Sequence, residues 1–247
     1  MEEGKEVKVE ETKKVNTKKQ EEKQEKQGHH VLRIIGMILF IVVAIYVGNV
    51  IRNFYILNTH MVATNEYSTK DNYKETRITY KGNEPYVTMI GYKKGNKTLV
   101  NVEAKQKHTT IAYYDKQTQE SIVKFSVDEN KVALVKQSEW PPVPSIAEIK
   151  PFGGLSAWQN FLMSLRSIIT SEKYASKDCY KINICGYEEI WVDKETGLVV
   201  RQSSGYFVGD ETTTNERCYH DYTYEFGTVT DKDVAKPDLT GYKIQRN

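Results

Sequence analysis

The distribution of apolar and polar positions divides the chain into three stretches. From Met1 to Gln27 there is no aromatic residue, and Met1, Val7, Val9 and Val15 are the only apolar side chains among Lys, Glu, Gln, Asn and Thr. Three valines cannot make a seam, so residues 1–30 are expected to be a disordered tail. From Val31 to Leu57 the composition reverses. Eighteen residues between Arg33 and Arg52 carry no charge, and only Asn49 is strongly polar. At about 1.5 Å of helical rise per residue, that run nearly matches a hydrocarbon core about 30 Å thick. A buried helix of a soluble protein would show a polar face. A cleaved signal peptide has a shorter apolar core and a small-residue cleavage site, which Leu57-Asn58-Thr59 does not supply. The pattern predicts a transmembrane helix over residues 31–57 and a juxtamembrane linker over 58–72.

The third stretch, residues 73–247, alternates with period two. Val100, Val102 and Ala104 oppose Asn101, Glu103 and Lys105, and Val123, Phe125 and Val127 oppose Lys124 and Ser126. Strands are expected at Lys74–Lys81, Tyr86–Lys93, Thr98–Lys107, Thr109–Asp115, Glu120–Asp128 and Lys131–Lys136, joined by Gly82-Asn83, Gly95-Asn96 and similar turns. Links this short make antiparallel neighbours. Trp140-Pro141-Pro142-Val143-Pro144 reads as an extended crossover. Ser156 then caps a helix expected to run to about Thr170. Its apolar stripe would hold Leu155, Trp158, Phe161, Leu162, Leu165, Ile168 and Ile169, leaving Gln159, Asn160, Ser164 and Arg166 outside. Further strands are expected at Cys179–Ile184, Glu188–Asp193, Leu198–Ser204 and Arg217–Phe226, and a closing edge segment after Asp231. The fold class is α+β: a curved antiparallel sheet covered by an amphipathic helix, preceded by one transmembrane helix.

Charge places the parts without naming a partner. The tail holds eight Lys and eight Glu, and Lys+Arg equals Asp+Glu beyond Arg52, so no basic field invites nucleic acid. Lys23, Lys26 and Arg33 precede the apolar run, and after Arg52 no Lys or Arg occurs until Lys70. The positive-inside bias puts the N-terminus in the cytoplasm and the C-terminal domain outside the cell membrane. Cys179, Cys185 and Cys218 are odd in number, leaving at least one unpaired. Cys179 and Cys185 are too far apart along an extended strand to bridge, and Cys179–Cys218 stays open.

Catalytic patterns are missing from the sequence. There is no Gly-x-Ser-x-Gly elbow and no Gly-rich phosphate loop, and the outer domain has only His60, His108 and His220. Cys218 and His220 share a strand face, but with Cys179 they do not form a standard metal-ligand spacing. No cofactor, metal or enzymatic activity is expected. The seventeen Tyr suit half-buried strand faces, and equally a groove for an amphipathic guest. Candidate lining residues are Trp158, Phe161 and Leu165 from the helix, with Trp191, Tyr222, Tyr224 and Phe226 from the strands.

The segments Cys179-Tyr180-Lys181-Ile182, Tyr187–Asp193, Trp191-Val192-Asp193-Lys194-Glu195-Thr196-Gly197-Leu198-Val199-Val200-Arg201 and Tyr224–Val234, with Pro237–Tyr242, resemble the lipoprotein-carrier (LolA-like) superfamily, most strongly over residues 175–242. The resemblance implies an incomplete β-barrel closed by helices around an apolar cavity that takes acyl chains or another hydrophobic ligand. A permanent anchor departs from the soluble carriers and argues for holding or sensing a ligand rather than ferrying it. The alternative is a structural or scaffold subunit of a bacterial envelope or secretion assembly, with envelope proteins as partners.

Overall fold

A computed structural model describes residues 32–59, 67, 69–105, 108–127, 130–137, 156–186, 188–206 and 217–246. The charged tail and the proline-rich crossover lie outside them, as does most of the expected linker. Among the described residues, one helix is long and apolar enough to cross a membrane: α1, Leu32–Thr59. The chain divides into two compact units, Met1–Arg52 and Asn53–Asn247. The last two turns of α1 therefore belong to the C-terminal unit, where Ile56 and Leu57 are buried.

That unit is α+β and mostly sheet. Strands β1 (Asn72–Lys81), β2 (Glu84–Lys94), β3 (Lys97–Ala104), β4 (Thr109–Asp115), β5 (Glu120–Val127) and β6 (Asn130–Lys136) form the expected meander. Helix α2 (Ala157–Arg166) follows. Then come β7 (Ser167–Tyr174), β8 (Lys177–Ile184), β9 (Glu188–Asp193), β10 (Val199–Tyr206), β11 (Arg217–Phe226) and β12 (Lys243–Arg246). All twelve strands join one open sheet in the order β12-β6-β5-β4-β3-β2-β1-β11-β10-β9-β8-β7. Every pairing is antiparallel except β12 beside β6. The two meanders meet where β1 pairs with β11, from Tyr73↔Phe226 to Lys81↔Cys218. That seam depends on contacts about 140 residues apart, the kind of pairing local sequence does not announce.

Two elements depart from expectation. Helix α2 stops at Arg166, because Ser167 is extended (φ −100°, ψ 145°) and starts β7, which pairs with β8 from Ser167↔Ile184 to Tyr174↔Lys177. Residues 167–170, read as the helix's end, are an edge strand. The closing segment also acquires a strand, β12, which lies parallel to β6.

Burial on α2 departs from expectation at four positions, while Gln159 and Arg166 are exposed as expected. Asn160 and Ser164 are each 1% exposed, whereas Trp158 is 64% and Phe161 36% exposed. The reason is the surface α2 meets. Asn160 Nδ2 donates to Asn58 Oδ1 (3.2 Å), and Asn53 Nδ2 donates to the carbonyls of Ser164 (3.4 Å) and Ser167 (2.8 Å). A polar helix end selects the polar side of its partner. The α2 start is a capping box, with Gln159 N donating to Ser156 Oγ and Ser156 N donating to Gln159 Oε1. The core above the second meander is filled from α1, by Ile56 and Leu57 against Ile169, Ile182, Ile190, Val192, Val199 and Tyr222, with Met163 from α2.

Candidate functional site

The register assigns every side chain of the sheet to one of two faces. The helix face is the one that carries Ile169, Ile182 and Ile190. At the central β1–β11 seam it presents Tyr73, Glu75, Arg77 and Thr79 directly opposite Phe226, Tyr224, Tyr222 and His220. This row is aromatic at one end and ionic in the middle. Tyr73 and Phe226 pack with Leu198, Tyr224 and Tyr67. Glu75 is fully buried, and Arg77 Nη2 reaches its Oε1 at 3.3 Å. The Arg77 guanidinium lies 5.1 Å from the centre of the Tyr222 ring. Its Nε is buried and donates to no described residue. Burial drives the Tyr222 phenol up to about 12, and burial with the Glu75 carboxylate drives Tyr224 well above the ordinary phenol value. His220 shares a 2.9 Å hydrogen bond with Thr79 through Nδ1, and burial, then Arg77, holds its imidazole below the ordinary value.

Arg77 is also the cross-strand neighbour of Met89. From Met89 an apolar field runs across the same face of β2–β5: Val100, Val102, Ala112, Val123 and Phe125. All its members are sheet residues. Val100, Ala112 and Val123 are buried, while Met89, Val102 and Phe125 are half-buried.

The opposite face is built differently in its two halves. Over β7–β11 it is a stack of rings and charges. Arg201 lies 4.2 Å from the Tyr219 ring, 5.0 Å from Tyr174 and 5.6 Å from Trp191. Tyr174 donates its hydroxyl to Asp221 Oδ2 at 2.7 Å and accepts from Arg201 Nη1 at 3.0 Å. Trp191 Nε1 donates to Glu172, and Lys181 sits 4.7 Å from the Trp191 ring. A bulge between Val199 and Arg201 turns both Val200 and Arg201 to this side. Over β2–β5 the face is crossed by residues 228–242, here the strap. Asn72 clamps its start with two bonds, Nδ2 to the Val229 carbonyl and Val229 N to Oδ1, both 3.0 Å. Val229 and Val234 are buried, and Lys124 donates to the Asp238 carbonyl and lies 4.3 Å from the Tyr242 ring. Between strap and sheet is a cleft of about 430 Å³, lined by Tyr92, Leu99, Asn101 and Ile111 below and Lys232 and Lys236 above.

Of the seven candidate lining residues, the structure brings together Tyr222, Tyr224 and Phe226, in one row on the helix face. Trp191 is on the other face, against Cys179 and Val200. Trp158 and Phe161 stack on each other (centroids 5.5 Å, planes 29°) and turn outward, and Leu165 is half-buried. Glu75 and Arg77 were missed, although opposite charges two apart on a period-two strand are a visible signal for a shared face. Cys218 and His220 lie along one face of β11, with Cys179 on the other side of the sheet, and no disulfide joins any of the three cysteines. Among the described residues no group of three or more His, Cys, Asp or Glu is placed to hold a metal. Comparison with family models and with curated proteins gives no match.

Proposed function

We propose that the chain is a single-pass protein of a bacterial cell membrane whose extracytoplasmic unit holds an amphipathic, lipid-like ligand without turning it over. The observation that carries the reading is the adjacency of Arg77 and Met89. It sets a guanidinium with a spare buried donor at the border of a continuous apolar field. An acyl chain would lie along Met89, Val102 and Phe125, and an anionic head would take Arg77 Nε while the Tyr222 ring backs the guanidinium. In this reading the sheet curls around that field as an incomplete barrel, the form the carrier resemblance implies. The aromatic row of Tyr222, Tyr224 and Phe226 forms one wall.

A photoreactive diazirine fatty acid, added to the full chain in lipid nanodiscs, tests it. Adducts are expected on β2–β5 peptides, reduced by Arg77→Ala and by Val102→Lys. Labelling confined to α1 would refute the proposal. Topology is checked separately at Cys185, which is exposed. A membrane-impermeant maleimide should modify it in intact cells, and protection until lysis would place the unit inside.

The scaffold reading is favoured by a different observation. The sheet is open, and its β7 edge is eight residues long with mostly exposed side chains. Such an edge accepts a strand from a partner. Co-purified envelope proteins lost on substituting Thr170→Pro would support that role.

A further inference from the structure

Helix α2 turns two polar residues inward and its aromatic pair out. Asn160 and Ser164 are buried against Asn53 and Asn58, and Trp158, stacked on Phe161, is mostly exposed. Phe161 also meets Phe54 edge-on, with centroids 6.4 Å apart. An apolar side that faces away from its own core calls for an apolar cover. The place where α2 is seated says which one. Its partner residues, Asn53–Asn58, begin just past Arg52, which follows Ile51 at the end of the uncharged run, within the same continuous helix. Asn58 is therefore only about 10 Å of helical rise past the end of that run. Beyond the hydrocarbon core that distance spans the headgroup zone, where Trp and other amphipathic rings concentrate. Arg166, exposed in the last turn, adds a cation suited to lipid phosphate.

We propose that α2 is an interfacial helix, whose Trp158–Phe161 side rests in the headgroup–acyl boundary of the bilayer that holds α1. The proposal rests on the reading of α1 as a membrane span. It assigns α2 a different task from the ligand row: contact with the lipid surface.

The full chain is reconstituted into phosphatidylcholine vesicles whose acyl chains are brominated near the headgroup, and tryptophan quenching is compared with that of Trp158→Phe. That substitution is conservative at an exposed position, so the fold is retained. Most of the lipid-dependent quenching should disappear in the variant, and Trp158 emission should be shifted to the blue of exposed indole. A chain that floats with the vesicles but keeps its quenching pattern in Trp158→Phe overturns the proposal alone. In that case, shielding of Trp158 from aqueous acrylamide as well would assign the cover to residues 138–155 or to a second copy. A chain that does not float, and is extracted by alkaline carbonate, overturns the span reading and this inference together.

Discussion

Asn53 donates its side-chain amide to the backbone carbonyl of Ser167 at 2.8 Å, joining the end of α1 to the junction of α2 and β7. Asn53 is 4% exposed and its amide also faces the Ser164 carbonyl at 3.4 Å. One side chain thus satisfies carbonyls that the abrupt end of α2 leaves without helical donors. In Asn53→Leu these acceptors remain buried without the amide, at a cost of about 1–3 kcal/mol. Near-ultraviolet circular dichroism of the detergent-solubilised chain should show the C-terminal unit melting several degrees earlier. An unchanged midpoint would mean that water or another donor replaces the amide.

Leu57 makes a larger claim on the same region. It is 1% exposed and packs, with Ile56, against Ile182, Ile190 and Val192. The end of the apolar helix is therefore part of the folded unit's core. Leu57→Ala should destabilise the unit by about 2–5 kcal/mol. A chain beginning at residue 60 should melt well below one beginning at residue 53. Equal stability of the two would show that the core closes without α1.

The first meander was legible because one dry face imposes period two, and Gly or Asn turns punctuate it. Five of its six strands fall within two residues of the expected bounds, and β3 ends three residues early, at Ala104. Strand β7 was hidden for a physical reason. Ile168 and Ile169 continue the helical spacing of α2, and neither Gly nor Pro marks the break at Ser167. The burial of α2 was misread because its hydrophobic stripe was assumed to face the core. What decides the matter is that the partner surface offers Asn53 and Asn58, and that surface is more than a hundred residues away in sequence. The face of Trp191 likewise depends on register, which aligns it through Arg201 with Asp221 rather than with Tyr222 and is not written locally. Glu75 and Arg77 were readable as a same-face pair, but their place at the centre of the sheet follows only from the β1–β11 seam.

Asp193 organises the β9–β10 turn and gives the unit an acid-sensitive point. Its Oδ1 accepts from Glu195 N (3.0 Å), and its Oδ2 accepts from Thr196 Oγ1 (3.0 Å) and Lys177 Nζ (3.1 Å). Burial pushes this carboxyl up, but the Glu195 amide, Lys177 and Thr196 together outweigh it and hold the group below 3.8. A carboxyl depressed by folding adds stability that is present above its ordinary value and is lost as pH falls through the depressed one. Melting temperature should therefore fall on acidification below about pH 4. Asp193→Asn, which cannot titrate, should be less stable at neutral pH and show a shallower acid limb. A limb of unchanged slope would move the acid sensitivity elsewhere.

The strap is held by unequal fastenings, and their difference can be measured. The Asn72 amide makes two bonds to the Val229 backbone, in a half-buried setting. The nearby Lys94–Asp231 ion pair is 2.9 Å long, but the Asp231 side chain is 91% exposed. Water screens the second contact, which adds little, whereas losing the clamp strands a backbone amide and a carbonyl. Hydrogen exchange should accordingly show Asn72→Ala deprotecting residues 229–242 while the amides of β3 and β4 keep their protection. Lys94→Ala should leave the strap nearly as slow as in the unaltered chain. Because Val234, within the strap, is 1% exposed, release at Asn72 should also uncover apolar surface and increase dye binding. If both substitutions open the strap equally, electrostatic attraction rather than the amide clamp holds it. If neither does, the β12–β6 pairing at its far end is sufficient by itself.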